Sequence, residues 1–94
     1  MKQPVVYVLA SARNGTLYTG VTSDLPGRVV QHKSHTIPGF TRDHRVDRLV
    51  WFEAHPTMES AIRREKRIKE WKRAWKLRLI ESRNPRWRDL AEEL

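Results

Sequence analysis

Two strand-type runs separated by an Asn-Gly pair constrain this chain more than any other feature. Val5 to Ala10 is continuously apolar and rich in β-branched residues, as an interior strand is, and Leu17 to Thr22 alternates between two faces. Asn14-Gly15 lies between them. Both central positions of a type I′ turn need positive φ, which asparagine and glycine tolerate, so the pair predicts an antiparallel hairpin. With Asn14 and Gly15 as the loop, Arg13 faces Thr16, Ser11 faces Tyr18 and Tyr7 faces Thr22. Tyr7 and Tyr18 then project from the same side, and Gly20 leaves a gap between them where another side chain can approach the backbone. A one-residue slip or a bulge would put the tyrosines on opposite faces.

Downstream, Thr22-Ser23-Asp24-Leu25-Pro26 reads as a helix start, with a capping side chain and a proline tolerated in the first turn. The helix is expected to run to about Lys33, with Leu25 and Val29 as its packing stripe and with Arg28 and His32 on one side, four residues apart. Ser34 to Arg45, with Pro38-Gly39, reads as loop. Leu49-Val50-Trp51-Phe52-Glu53 is a third strand, closed by His55-Pro56. Thr57 can cap a long helix from about Met58 to Glu81, bent partway, and Asn84-Pro85 can open a short helical turn through Leu90. The fold class is therefore α+β within the broad α/β group: a small three-stranded antiparallel sheet flanked by helices, with residues 1–94 expected to form a single domain.

Size and composition bound the function. A chain of 94 residues buries roughly two thirds of its unfolded surface, which leaves room for an open site but not for a deep enclosed cavity. The absence of cysteine excludes disulfides and thiolate metal sites and fits a reducing, cytoplasmic setting. The start, MKQPVVYVLASA, superficially resembles a signal peptide, but its apolar run is short, Pro4 interrupts the approach, and it reads better as a strand. No apolar stretch approaches the roughly twenty residues of a membrane span. The net charge of +8 points to an anionic partner, most simply nucleic acid. Twelve of the nineteen basic residues fall at or after Arg63. The C-terminal helix would present Arg63, Lys66, Lys69, Lys72, Arg73 and Lys76 to a nucleic-acid backbone, a contact that is salt-sensitive and nearly blind to sequence. A merely solvated basic helix is the bland alternative.

Met58, Ala61, Ile62, Ile68, Trp75 and Leu79 form an apolar stripe on the long helix, and Glu65 falls inside it. A carboxylate turned inward must be paired, hydrogen-bonded or bound to a metal. A salt bridge satisfies that need as well as a cation does, and Lys72 also falls in the stripe. Taken singly, the tyrosine pair, the Arg28/His32 pair and Glu65 all have structural explanations.

Together they resemble a known family. Val6-Tyr7-Val8, followed by Leu17-Tyr18-Thr19-Gly20-Val21-Thr22, is similar to the paired GIY and YIG motifs of the GIY-YIG nuclease superfamily. Arg28-Val29-Val30-Gln31-His32 resembles the R-x-x-x-H pattern of its next helix, and Ala61 to Lys69 resembles the helix bearing its metal-binding glutamate. The small members related to the nuclease domain of nucleotide-excision repair endonucleases are most similar, and they also account for Trp71, Trp75 and the closing Asn84 to Leu90. Val5-Val6-Tyr7 replaces Gly-Ile-Tyr and Tyr18-Thr19-Gly20 replaces Tyr-Ile-Gly, substitutions at the apolar or small positions that mainly affect packing. Read as a single domain, the chain is expected to lack the separate recognition module that many relatives attach, which leaves the target open.

The resemblance implies a metal-dependent endonuclease acting on nucleic acid, DNA ahead of RNA, in repair or recombination. It implies one Mg²⁺ or Mn²⁺ on Glu65, with waters and a phosphate oxygen completing the octahedron. Arg28 would contact the scissile phosphate, and Tyr7, assisted by Tyr18, would position or deprotonate the attacking water. A tyrosine base needs its pKa lowered by about three units from 10, whereas a histidine needs no such shift, so the base stays open between Tyr7 and His32. Trp71, Trp75 or Trp87 could stack on unpaired bases or fill the core. The competing expectations are a binding module that keeps the fold without turnover, and a subunit that recruits a partner through its tryptophan-rich helix.

Overall fold

The computed structural model describes residues 2–94. Three strands, β1 (Val5–Ala10), β2 (Leu17–Thr22) and β3 (Arg48–Ala54), form an antiparallel sheet in the order β2-β1-β3. The helices are α1 (Leu25–Lys33), α2 (Phe40–Asp43), α3 (Met58–Glu70) and α4 (Arg73–Arg83), with a 3₁₀ turn at Leu90–Glu93. All six residues of β1 are buried, because helices cover both faces of the central strand. Val6, Val8 and Ala10 pack with Ala61 and Ile68 of α3, Ile80 of α4, and Trp87. Val5, Tyr7 and Leu9 pack with Leu25 and Val29 of α1, and with Leu90. The sequence expectation of an α+β fold with a three-stranded antiparallel sheet holds.

The hairpin register differs from the expected one. Tyr7 pairs with Gly20 and Leu9 with Tyr18, while Ser11 pairs with Thr16 around a turn in which the Gly15 N–H donates to the Ala12 carbonyl. The turn is therefore centred on Arg13-Asn14, with Asn14 in the left-handed region at φ 57°. The shift is two residues rather than one, so every side chain keeps its face and both tyrosines still project toward α1. A bulge between β1 and β3 leaves Val50 without a partner strand residue, and Val50 and Trp51 consequently join the same core cluster.

Both main helix starts are capped as expected: the Asp24 carboxylate accepts from the Gly27 N–H, and the Thr57 hydroxyl from the Ser60 N–H. The long C-terminal helix is in fact two. Trp71 and Lys72 have extended backbone, with ψ 150° at each, so α3 ends at Glu70 and α4 starts afresh. The stripe read as continuous is broken with it: Trp75 is 51 % exposed and Ile62 is also exposed. Residues 34–45, read as loop, contain the four-residue α2, and Asn84-Pro85 leads into a tight turn rather than a helix.

The last segment closes the free edge of β3. Side chains take up its outward backbone groups: Asp89 accepts from the Leu49 N–H, Asn84 Nδ2 donates to the Val50 carbonyl, and Arg83 donates to the Phe52 carbonyl. Trp87 fills the α3 side of the sheet and Leu90 the α1 side, so this strap wraps around the edge that would otherwise be open to pairing.

Candidate active site

The site begins at Gly20. A Cβ there would lie 2.5 Å from both Cζ and Oη of Tyr7 and 3.0 Å from Cε2 of Tyr18. The absent side chain is thus what lets the Tyr7 ring lie across β2. Tyr7 is only 2 % exposed. His32, 6 % exposed, comes from the last turn of α1 and places Nε2 3.2 Å from the Tyr7 hydroxyl. The rings of Tyr7, Tyr18 and His32 form a triangle with centroid separations of 6.3, 6.0 and 5.8 Å. The other imidazole nitrogen, Nδ1, is 3.2 Å from the hydroxyl of Thr41, a buried residue of α2. Thr41 was not singled out from the sequence, where one threonine in a polar loop carries no signal.

Arg28 stands one turn before His32, partly exposed, and pairs with no carboxylate among the described residues. Its charge acts on both neighbours. Burial holds the His32 pKa below the usual imidazole value, Arg28 lowers it further, and Asp47 partly opposes them. For Tyr7, burial raises the pKa far above the ordinary phenol, the nearby Tyr18 adds to this, Arg28 opposes, and Glu65 adds again.

Glu65 is carried by α3 on the other face of the sheet, yet α3 packs against the edge strand β2 and the field of the carboxylate reaches Tyr7. Its side chain is 13 % exposed and pairs at 3.2 Å with Lys69, an exposed residue one turn on. Of the two sequence-level readings, the salt bridge is therefore present. The lysine end of the bridge is open to solvent, whereas the carboxylate end is largely buried. Among the described residues no group of three or more His, Asp or Glu forms a metal cluster. The donor set on offer is one hard carboxylate, which suits an oxygen-loving divalent ion that keeps most of its waters.

The six basic residues expected at a nucleic-acid interface do not share one helix face. Arg63 pairs with Glu59, Arg73 donates to the carbonyls of Asn14 and Gly15 and so pins the β1–β2 turn, and Lys76 reaches the carbonyl of Lys69. Lys66 and Lys72 have no ion pair among the described residues. Trp87 is fully buried and unavailable for stacking, Trp71 is half-buried on the core, and Trp75 is exposed.

Residues 3–78 match the family model described as the GIY-YIG catalytic domain. The chain belongs to the GIY-YIG family. It is 36 % identical over 83 residues to a UPF0213 protein of Staphylococcus aureus, covering 88 % of this chain and all of that one. To a UPF0213 protein of Staphylococcus epidermidis it is 33 % identical over 81 residues, covering 86 % and 98 %. The solution NMR structure of a UPF0213 protein from Bacillus halodurans is also similar, with a TM-score of 0.58, 31 % identity, and coverage of 93 % of this chain and 92 % of that one. Membership makes this a nuclease-type domain with nucleic acid as its general class of partner. The strap at residues 84–94 lies beyond the family match.

Proposed function

We propose that this GIY-YIG protein is a metal-dependent endonuclease that hydrolyses nucleic-acid phosphodiesters, DNA in preference to RNA, within one domain and in a cytoplasmic setting. The observation that carries the reading is the hydrogen bond between the buried Tyr7 hydroxyl and His32 Nε2, set between Arg28, a cation without an ion-pair partner among the described residues, and a largely buried carboxylate, Glu65.

Phosphodiester hydrolysis needs an activated water, neutralisation of the phosphoryl oxygens and stabilisation of the leaving oxygen. Glu65 would hold one Mg²⁺ or Mn²⁺, for which a single hard carboxylate is a suitable protein ligand. Such an ion, when bound there, would supply Lewis-acid neutralisation of negative charge. Arg28 donates to the scissile phosphate and stabilises the charge that builds there.

Of the two candidate bases, Tyr7 and His32, we favour His32. Tyr7 resists ionising to the phenolate that a base requires, because burial, the largest cause of its raised pKa, is not relieved by neutralising Glu65. His32 is held neutral at physiological pH and already faces the hydroxyl. In this scheme the water gives its proton to the Tyr7 oxygen as Tyr7 passes its own to His32 Nε2. The water oxygen bonds to phosphorus, the P–O bond to the leaving oxygen breaks, the departing alkoxide takes a proton from solvent, and His32 returns its own to solvent. Thr41 holds Nδ1 so that Nε2 stays aimed at Tyr7, and Tyr18 flanks the pair.

The test is cleavage of plasmid, branched and single-stranded substrates with and without Mn²⁺, beside Glu65→Ala. Metal-dependent cutting that is lost in the variant, with binding nearly intact, is expected. If the wild type binds without cutting under any of these conditions, the protein is a binding module; if Glu65→Ala cuts at the wild-type rate, the metal assignment is wrong.

A further inference from the structure

We infer that the flank of α3 remote from Glu65 carries a second phosphate-binding site, built from Arg63, Arg64 and Arg67, that grips the nucleic-acid backbone away from the point of cleavage. This rests on the nucleic-acid reading above. At about 100° per residue, Arg64 and Glu65 fall on opposite sides of the buried Ala61/Ile68 line of α3. Their partners differ accordingly: Arg64 Nε donates to Glu53 of β3, whereas Glu65 pairs outward with Lys69. Ser60, Arg63, Arg64 and Arg67, spaced i, i+3, i+4 and i+7, line one cavity of about 230 Å³. That is below the roughly 300–1,000 Å³ of sites for drug-sized ligands, and it suits a single small anion.

The cavity is prepared for a phosphate in three respects. Arg64 is fixed from two sides: Glu53 holds its Nε at 3.2 Å, and its guanidinium lies over the Trp71 ring, 5.3 Å from the centroid. That leaves its two terminal nitrogens for a bidentate contact from a side chain whose conformational freedom is already lost. The half-buried carboxylate nearby is engaged by more than Arg64, because His55 Nε2 lies 2.7 Å from the same Glu53 oxygen. Finally, Arg67 has no ion pair among the described residues, and the Arg63–Glu59 pair is so exposed that a phosphate can replace Glu59 at little cost. Engagement on this flank, while the Tyr7/His32 face acts on the scissile bond, requires the substrate to follow both sides of α3.

The experiment measures binding, so it is independent of turnover. Affinity for a fluorescently labelled duplex oligonucleotide is followed against KCl for wild type, Arg67→Ala, Arg63→Ala/Arg67→Ala, and Arg86→Ala as an exposed control outside the cavity. Each phosphate contact contributes about 0.9 to the slope of log K against log salt. The slope should fall by about one in the single variant and about two in the double variant. Melting temperatures should be unchanged, because neither side chain holds the core. In parallel, ¹⁵N-detected arginine Nε–H signals should shift for these residues with the oligonucleotide. A slope unchanged from wild type, or no greater change than in Arg86→Ala, overturns the site, as do Nε–H shifts seen with inorganic phosphate but not with the oligonucleotide. Wild-type protein that binds no nucleic acid at all removes instead the function on which the inference rests.

Discussion

Replacing Gly20 by alanine tests the geometry of the site most directly. The new Cβ would sit 2.5 Å from Cζ and Oη of Tyr7, whose ring is buried and hydrogen-bonded to His32. To regain ordinary van der Waals contact the ring tip must retreat by about 1 Å. It cannot do so freely, since Leu25 and Val29 of α1 occupy the same cluster. Overpacking of this kind costs about 1–3 kcal/mol, and at about 4–8 °C per kcal/mol for a domain of this size the loss should be plain in a thermal melt. The chemical consequence is larger, because a retreat of that size breaks the 3.2 Å Tyr7–His32 contact or drags His32 from Thr41. Misplacement by about 1 Å costs on the order of 100-fold in rate. The measurements are urea unfolding and single-turnover cleavage with Mn²⁺. Tyr7→Phe, which removes one of the two clashing atoms, should couple with Gly20→Ala rather than add to it. A Gly20→Ala protein that unfolds and cuts as the wild type does would refute the claim that this glycine sets the position of Tyr7.

Further outcomes concern charge and the strap. Arg28→Ala should lower turnover far more than affinity, read from kcat and Kd on one substrate; a pure affinity loss would make Arg28 a backbone clamp. The folded pKa of His32 is depressed, so its neutral form stabilises the fold above the unfolded value of about 6.5, and this contribution is lost as pH falls from there through the folded pKa. Urea midpoints measured from pH 7.5 to pH 5 should therefore drop on the acid side, and the drop should shrink in His32→Asn. Asn84→Ala removes a buried amide that donates to the Val50 and Arg88 carbonyls and accepts from the Arg88 N–H. It should destabilise by about 1–3 kcal/mol in equilibrium unfolding, and a neutral result would mean that the strap does not hold β3.

The local signals were legible in the chain because each depends on near neighbours. Strand alternation put Tyr7 and Tyr18 on one face, helical spacing put Arg28 and His32 on one side of α1, and the capping residues Asp24 and Thr57 set both helix starts. Even an incorrect turn left the face assignment intact, since a two-residue shift preserves the alternation of a strand. Distant contacts decided the rest. The β1–β2 turn is pinned by Arg73, 58 and 59 positions along the chain from the carbonyls it binds, which no local turn rule includes. The break at Trp71 and Lys72 involves neither glycine nor proline, so no helix-stop residue announces it. The pairing of His32 with both Tyr7 and Thr41, and that of Arg64 with Glu53 of β3, exist only once the sheet has brought these elements together. The sequence alone determined which chemical groups this protein has and the faces on which they lie; tertiary structure decided which of them meet, because contact and burial depend on residues far apart in the chain.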